Sequence, residues 1–442
     1  MYGTVYLLAD PTEMLKVLRH EGTYPFGAIL TEWPLIKFYK EKGSSLHGLF
    51  SQGEEWKRLR SFLQTDLLNP HAAKGYVPGI VKAAENISKN LPQGYDTTMK
   101  EYLSRCSFDI FSTVMFGNLA QSEVDENTAE NKLLCKTVLN GVDDLFAAMM
   151  SPTELILSKM GIDTKLYNSM KNNLDACEEI ALKKIEVFKK RKANGELNEI
   201  EEVSYLSRAI DRQKEDSNIT EDEMKELSMI LLISAVDTTS SLLHWVLVHL
   251  ALNQDVQQNL YHMLQETVKK YDGNLCADAL SKKSISYLHA VIRENHRLTP
   301  SISISIIKSI SSEVEIHGAK LPAGSRVAFS AYSTGIDPNI VHEPNKFDPT
   351  RWSENAVEAR QGTKSQVIDH PLLRDPFSVG ARKCPGSRVA SYEVLVLIAQ
   401  LVLDWKISID DERIESLKDV THNQQLTIHP DPLNFQFSPR KK

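Results

Sequence analysis

Cys384, near the end of the chain, lies in a sequence that suits metal ligation. It belongs to the run FSVGARKCPG at residues 377–386, which directly precedes an apolar segment with helical spacing. The N-terminus of a helix favours an anion, and thiolate is the form of cysteine that binds a metal. The run therefore predicts a lowered thiol pKa and a thiolate ligand. A buried cysteine in a glycine-rich turn is the alternative.

The residues around this cysteine suit a large, flat ligand. Gly380 and Gly386 would let the backbone approach such a group closely, because glycine has no side chain. Phe377 could cover the sulfur, and the guanidinium of Arg382 could pair with a carboxylate on the ligand. A thiolate on haem iron pushes electron density toward oxygen and favours O–O cleavage. The run therefore indicates haem chemistry.

Two further pairs could hold buried charge or a bound carboxylate. Glu294 and Arg297 have the spacing of a helical ion pair, which is common on helix surfaces as well as inside proteins. Trp56 and Arg60 are four residues apart and project from one helix face. An indole N–H and a guanidinium suit a bound carboxylate, but a half-buried Trp beside a solvated Arg would have the same spacing.

Polar residues also interrupt the most apolar helical segment. Asp237 and Thr238 follow the apolar run Met229–Val236, where an acid is unfavourable unless it has partners. Such a pair in the interior needs a reason, and a functional role is one. A threonine bonded back to its own helix is the alternative.

The pattern Phe-x-x-Gly-x-Arg-x-Cys-x-Gly at residues 377–386 resembles the haem-binding loop of the cytochrome P450 family at all five fixed positions. The resemblance implies haem b with Cys384 as the iron ligand, and proton delivery by Asp237 and Thr238 as the catalytic residues. It also implies a triad that locks the core, and haem contacts from several segments. The triad comprises Glu294, Arg297 and Arg351, and the haem-contacting residues are Trp56, Arg60, Ala235, Phe377, Gly380, Arg382, Cys384 and Gly386.

Two positions depart from the family pattern. Ala235 stands where the family usually has glycine, which leaves room for oxygen. Ile307, followed by Lys308, stands where an arginine commonly reaches a haem propionate. Alanine is small enough to keep the pocket, so we expect the pocket near Ala235 to remain, and we do not expect that propionate contact.

These residues need a helical scaffold. Helical patterns cover 54–68, 99–116, 165–191, about 220–253 and about 386–405, and Thr220 with Glu223 has capping-box spacing. An alternating Ser and Ile stretch ends at Ile307. This stretch and the segments after it have the pattern of short strands and turns. The sequence predicts a mainly α fold with a small β region. The resemblance implies a triangular helical domain with haem between the long central helix and the helix after the cysteine loop.

Bulk composition excludes some classes of protein. The 442 residues are 42% hydrophobic and carry a formal net charge of −7, so nothing points to nucleic-acid binding. Five cysteines without paired spacing argue against a disulfide framework. No uninterrupted apolar run reaches the 18 or more residues of a membrane-spanning helix, so we expect none.

The chain begins almost at once with the strand-like Thr4–Leu8. We expect residues 1–442 to form a single domain that lacks the N-terminal anchor and first helix of the family's eukaryotic members. The resemblance implies membrane association at the endoplasmic reticulum or the mitochondrial inner membrane.

The resemblance implies a monooxygenase that inserts one atom of O2 into an apolar substrate of the sterol, fatty acid, carotenoid or terpenoid class. Electrons would come from NAD(P)H through a ferredoxin or flavin reductase docked near Arg382 and Lys383. A haem-thiolate isomerase or dehydratase acting on peroxides is the first alternative, and a haem-binding sensor the second. By resemblance, the pocket is lined from five segments. These are Pro25–Leu49, part of Leu145–Asn172, the Leu232–Val236 face, Ser301–Ile307 and a turn near Gln425.

Overall fold

The molecule, described from a computed structural model, is mainly helical with four small sheets in its described residues, as the sequence predicts. The described residues are 4–27, 34–43, 51–91, 99–117, 129–216, 218–305, 307–424 and 427–440. The helices are α1 (Pro11–Arg19), α2 (Pro34–Glu41), α3 (Gly53–Leu67), α4 (Pro70–Lys89), α5 (Met99–Phe116), α6 (Ala129–Met150), α7 (Pro152–Lys159), α8 (Lys165–Ala193), α9 (Glu199–Glu202), α10 (Tyr205–Glu215), α11 (Glu221–Leu252), α12 (Gln254–Lys270), α13 (Ser286–Leu298), α14 (Ala331–Gly335), α15 (Glu354–Ala359), α16 (Pro371–Arg374) and α17 (Ser387–Asp404).

The strands are short. They are β1 (Val5–Leu8), β2 (Phe26–Gly27), β3 (Lys308–Ser309), β4 (Val314–Ile316), β5 (Ala319–Leu321), β6 (Arg326–Phe329), β7 (Trp405–Ile409), β8 (His422–Gln424), β9 (Ile428–Pro430) and β10 (Phe435–Pro439). The largest sheet has the order β1-β6-β3-β2, in which β1 and β6 are parallel and the other pairs antiparallel. The remaining sheets are the antiparallel pairs β4-β5, β7-β10 and β8-β9.

The 32-residue helix α11 is the centre of the core, and it packs against α5, α6, α13 and α17. Its first turn has the predicted capping box: the Thr220 hydroxyl accepts from the Glu223 N–H at 3.2 Å, and the Glu223 carboxylate accepts from the Thr220 N–H at 2.8 Å. At about 1.5 Å per residue the helix is roughly 48 Å long. It therefore crosses the molecule and can present residues from its middle to the interior.

Helix α11 is also long and apolar enough to cross a membrane, although polar residues interrupt its apolar sequence. Its most apolar window has a mean hydropathy of 1.5 and is 83% buried inside the molecule. Neighbouring helices therefore cover it, as in the core helix of a globular protein.

The alternating Ser and Ile stretch before β3 forms bends from Ser301 to Ile304, so the strand expected there is absent from its described residues. The Ser305 hydroxyl accepts from the Phe329 N–H at 3.0 Å, and the Ser305 N–H donates to the Phe329 carbonyl at 2.7 Å. Because a side-chain hydroxyl takes the place of a backbone acceptor here, regular strand pairing begins only at β3.

Candidate active site

The loop before α17 holds Cys384 through its backbone. The Cys384 N–H donates to the Phe377 carbonyl at 2.9 Å, and the Lys383 N–H donates to the Gly380 carbonyl at 3.0 Å. Gly380 has a φ of 88°, a left-handed conformation that favours glycine. The loop is therefore a tight turn that presents the cysteine at the start of a buried helix.

The thiol of Cys384 departs from one expectation. Burial raises its pKa, although the Gly386 N–H and the nearby charge of Arg60 act in the opposite direction. The prediction of a lowered pKa from the helix N-terminus is therefore wrong for the thiol by itself, because desolvation outweighs the backbone dipole. A bound metal cation would favour the thiolate.

Helix α3 brings Trp56 and Arg60 to this loop. Arg60 is buried, and it donates to the Lys383 carbonyl and, at 3.3 Å, to the Gln64 side chain. The Arg382 guanidinium lies 4.2 Å from the centre of the Trp56 ring. The structure therefore places these sequence-predicted residues together, although they are more than 300 positions apart.

Arg382 points into the molecule. It donates to the carbonyls of Pro25 at 2.6 Å and Ser51 at 2.9 Å, and to the Gln52 side chain at 3.0 Å. Burial lowers its pKa to about 10. Lys383 instead pairs with an aspartate carboxylate at 2.9 Å and stays partly exposed. Of the two cations expected at a docking face, only Lys383 is directed outward.

The three residues of the expected triad meet in the interior. Glu294 is fully buried and receives a bidentate interaction from Arg297, at 2.7 and 3.0 Å. Arg351 donates to the same carboxylate at 3.2 Å, and the Trp352 indole N–H donates to it at 2.9 Å. Sequence reasoning did not identify Trp352 as a partner, and its only signal was its position beside Arg351.

One face of α11 remains open in the middle of this otherwise buried helix. Ser234 is exposed, and Ala235 and Thr238 are partly exposed, while the residues on either side are buried. The Thr238 hydroxyl lies 3.4 Å from the Ser234 carbonyl, the contact expected of a threonine bonded back to its helix. The face therefore combines small and hydroxyl-bearing residues.

Asp237 points away from that face, toward the β8-β9 hairpin. Its carboxylate accepts from the Thr427 hydroxyl and lies 3.1 Å from His429 Nε2, and all three residues are buried. Burial would raise the pKa of Asp237, but the hydrogen bonds and charge from His429 and the Thr427 bond lower it overall. Sequence reasoning missed Thr427 and His429, because they are about 190 positions from Asp237.

Lys308 occupies a buried position near the loop. It forms an ion pair with Glu21 at 2.9 Å, and both side chains are almost completely inaccessible. A Cβ added at Gly380 would lie 3.5 Å from the Glu21 carboxylate, so this pair borders the cysteine loop. A positive charge near the loop is thus supplied by Lys308, the residue after Ile307.

These residues fit a haem. Arg60 is a buried cation whose hydrogen bonds within the described chain go to neutral acceptors, so a propionate carboxylate would complement it. The cysteine loop is only partly buried although the helix that follows it is core, and α11 has the open face described above. Of the expected pocket segments, residues 28–33, 44–49, 306 and 425 lie outside the described residues.

Comparison with known proteins identifies one family over nearly the whole chain. The family model for cytochrome P450 matches residues 2–437. "Cytochrome P450 10" of Lymnaea stagnalis is 24% identical over 445 residues, 98% of this chain and 76% of that protein. The mitochondrial cholesterol side-chain cleavage enzyme of Mus musculus is 25% identical over 459 residues, 99% and 80% of the two chains. The mouse mitochondrial sterol 26-hydroxylase is 24% identical over 421 residues, 92% and 75% of the two chains.

Proposed function

Because this chain belongs to the cytochrome P450 family, and is therefore a haem-thiolate monooxygenase, we propose that it hydroxylates a sterol-class substrate with electrons from NAD(P)H delivered by a ferredoxin. The observation that carries the substrate class is similarity to mitochondrial sterol enzymes over nearly the whole chain. A family match alone would leave every apolar substrate equally open.

The cysteine loop would hold the haem from one side. Cys384 would ligate the iron, and Phe377 would cover the sulfur. Gly380 and Gly386 would keep the loop backbone close to the ring, because neither carries a side chain. When bound, the haem supplies activation of dioxygen.

Residues from α3, the loop and α11 would complete the haem site. Trp56, Arg60 and Arg382 would face the propionates, since their indole and guanidinium groups already lie together beside the loop. Ala235 would lie on the oxygen side, because it belongs to the open face of α11.

Thr238 would hold a proton for that chemistry. Its hydroxyl is on the open face of α11, whereas the carboxylate of Asp237 is turned to the hairpin. We therefore assign the positioning of the transferred proton to the Thr238 Oγ1 atom. Asp237 would act indirectly, through its place next to Thr238 in α11.

The apolar substrate would enter beside exposed isoleucines. Ile302 and Ile304 are 39% and 43% exposed on the segment that follows Pro300. Large apolar side chains on an irregular segment suit contact with an apolar ligand. The similarity to sterol enzymes then selects a sterol among the apolar ligands.

A ferredoxin would dock beside the cysteine loop. Lys383 is partly exposed there and Arg374 is exposed. Burial and then the charge of Arg374 lower the pKa of the half-buried Arg293, whereas Asp369 and Asp375 act in the opposite direction. Arg374 and Lys383 would offer cations to an acidic partner at this face, although Asp375 pairs with Lys383.

A membrane would contact the region around α7. Met150, Ile156, Met160 and Ile162 are 45–67% exposed along this short segment. Such a run of exposed apolar side chains is typical of an interfacial surface. It supports association with an intracellular membrane, and the similarity to mitochondrial enzymes favours the mitochondrial inner membrane.

The test is a titration of the purified holoprotein with cholesterol, followed by turnover with NADPH, a ferredoxin and its reductase. We expect a shift of the Soret band and a hydroxylated product by mass spectrometry. Lauric acid serves as the apolar control. A shift and product with lauric acid but not with cholesterol would contradict the sterol assignment.

A further inference from the structure

The β8-β9 hairpin is bonded to α11 along a single stripe. Asp237, Ser241 and Trp245 are spaced four residues apart, so they lie on one helix face. The Ser241 hydroxyl and the Trp245 indole N–H both donate to the Ile428 carbonyl, at 2.7 and 2.8 Å. Asp237 in turn holds the two residues that flank Ile428. The hairpin therefore has one fixed position on the helix.

The same hairpin contacts the segment that follows α13. The Ile428 N–H donates to the Ser301 carbonyl at 2.9 Å. Ser301 immediately precedes Ile302, one of the exposed isoleucines that we place beside the substrate. Displacement of the hairpin would consequently move that segment as well as release Asp237.

We propose that His429 is a positioning residue for the monooxygenase reaction: it holds the Asp237 carboxylate and the hairpin as one buried unit, so that substrate fit and proton delivery depend on the same contact. This inference rests on the proposed function for its readouts of turnover. Thr238 adjoins Asp237 in α11, so movement of Asp237 is transmitted to the hydroxyl directly through the backbone.

The charges around this contact are few. Within the described residues, Asp237 is influenced by His429 on β9 and by Lys100 on α5. The ring of His244 on α11 lies 6.2 Å from the His429 ring, and burial lowers the pKa of His244 to about 3, so it is neutral. Removal of His429 would therefore leave the buried Asp237 carboxylate with the Thr427 hydroxyl and the more distant charge of Lys100 as its remaining compensation.

Three variants separate the roles of this residue. His429→Leu removes the hydrogen bond, and His429→Gln retains an N–H donor. His422→Leu is the control, because His422 is an exposed histidine on the same hairpin whose ring meets the edge of Trp245, at 6.1 Å, and not Asp237. Each is first checked for haem content by its carbonyl spectrum.

We expect His429→Leu to bind cholesterol about tenfold more weakly and to form less product per NADPH. Its coupling should also fall more steeply toward acid pH than that of wild type, because the Asp237 carboxylate loses the hydrogen bond and charge of His429 that help to keep its pKa low. His429→Gln should restore binding and coupling, and His422→Leu should match wild type. Unchanged binding, coupling and pH profile in His429→Leu would overturn the proposal.

A readout without substrate distinguishes this inference from the proposed function. Deuterium uptake by residues 421–430 should rise in His429→Leu and not in His422→Leu. If cholesterol does not shift the wild-type Soret band, the sterol assignment fails, but equal deuterium uptake in wild type and His429→Leu is what would refute the role of His429. If His429→Leu lacks haem, Thr427→Val is tested in its place, because it removes the other hydrogen bond to Asp237. The same criteria of cholesterol binding, coupling and deuterium uptake then apply.

Discussion

Glu294 and Arg297 form a bidentate ion pair in the protein interior, with Nη2–Oε1 and Nε–Oε2 distances of 2.7 and 3.0 Å. Arg297 also donates to the carbonyls of Gly335, Pro344 and Lys346, which lie in the chain after α13. The pair therefore joins α13 to the chain that leads to the cysteine loop.

Replacing Glu294 by Ala should prevent stable haem incorporation. It leaves buried guanidinium charge uncompensated, at about 3 to 5 kcal/mol. Holoprotein yield and thermal unfolding provide the measurement. The control is Glu179→Ala, which breaks an exposed pair with Lys183 and should leave both yield and unfolding temperature close to those of wild type. Equal effects of the two variants would contradict the structural role.

Replacing Cys384 by His should abolish the red-shifted absorption band of the ferrous carbonyl complex, because that band reports thiolate ligation. Cys276→Ser is the matched control, since Cys276 is partly exposed and the described contact of its sulfur is with a backbone N–H, at 3.4 Å. The control should keep the band. Retention of the band in Cys384→His would exclude Cys384 as the ligand.

Thr238→Ala should bind haem and substrate but release more hydrogen peroxide. The loss of a positioned proton donor slows the step it serves by on the order of 100-fold. Cofactor oxidation, peroxide and product are measured together. Thr238→Ser retains the hydroxyl and should keep most of the coupling, whereas unchanged coupling in Thr238→Ala would remove the hydroxyl from the reaction.

The free energy of unfolding should depend on buried histidines in acid. Burial lowers the pKa of His244 and His249 to about 3, from an ordinary value of 6.5. Below about pH 6.5 the unfolded chain therefore binds more protons than the folded chain, and each histidine lowers stability by about 1.4 kcal/mol per pH unit down to its folded pKa. Stability is thus lost as pH falls through this window.

His244→Phe should reduce that pH slope by the share of one histidine, while His342→Phe, at an exposed position, should leave it unchanged. Denaturant unfolding at about pH 7 and about pH 5 gives the comparison. Variants are compared because Glu393 acts with the opposite sign: burial raises its pKa to about 8. An unaltered slope in His244→Phe would show that this histidine is not held neutral.

The double replacement of Ile156 and Met160 by Ser should weaken binding to phospholipid vesicles by about tenfold or more, because two exposed apolar side chains are lost from the α7 region. Co-sedimentation provides the measurement. Val187→Ser, at an exposed apolar position on α8, should have little effect. Equal loss with Val187→Ser would indicate nonspecific adsorption.

The sequence by itself determined the family and the approximate positions of the five helices predicted from it. The cysteine loop and the Glu294–Arg297 pair are each recognised from a few neighbouring residues. The predicted helix 99–116 has the observed bounds of α5. Such features depend on local spacing and on helix periodicity, which a single sequence displays directly.

Only the tertiary structure decided where the polar side chains point. Asp237 bonds to Thr427 and His429 because the hairpin packs on α11, and Arg382 turns toward carbonyls of the N-terminal region. The raised pKa of the Cys384 thiol likewise comes from desolvation of the sulfur by surrounding elements, although the residue as a whole is only partly buried. These outcomes depend on contacts between distant segments and on desolvation, and neither is set by the spacing of neighbouring residues.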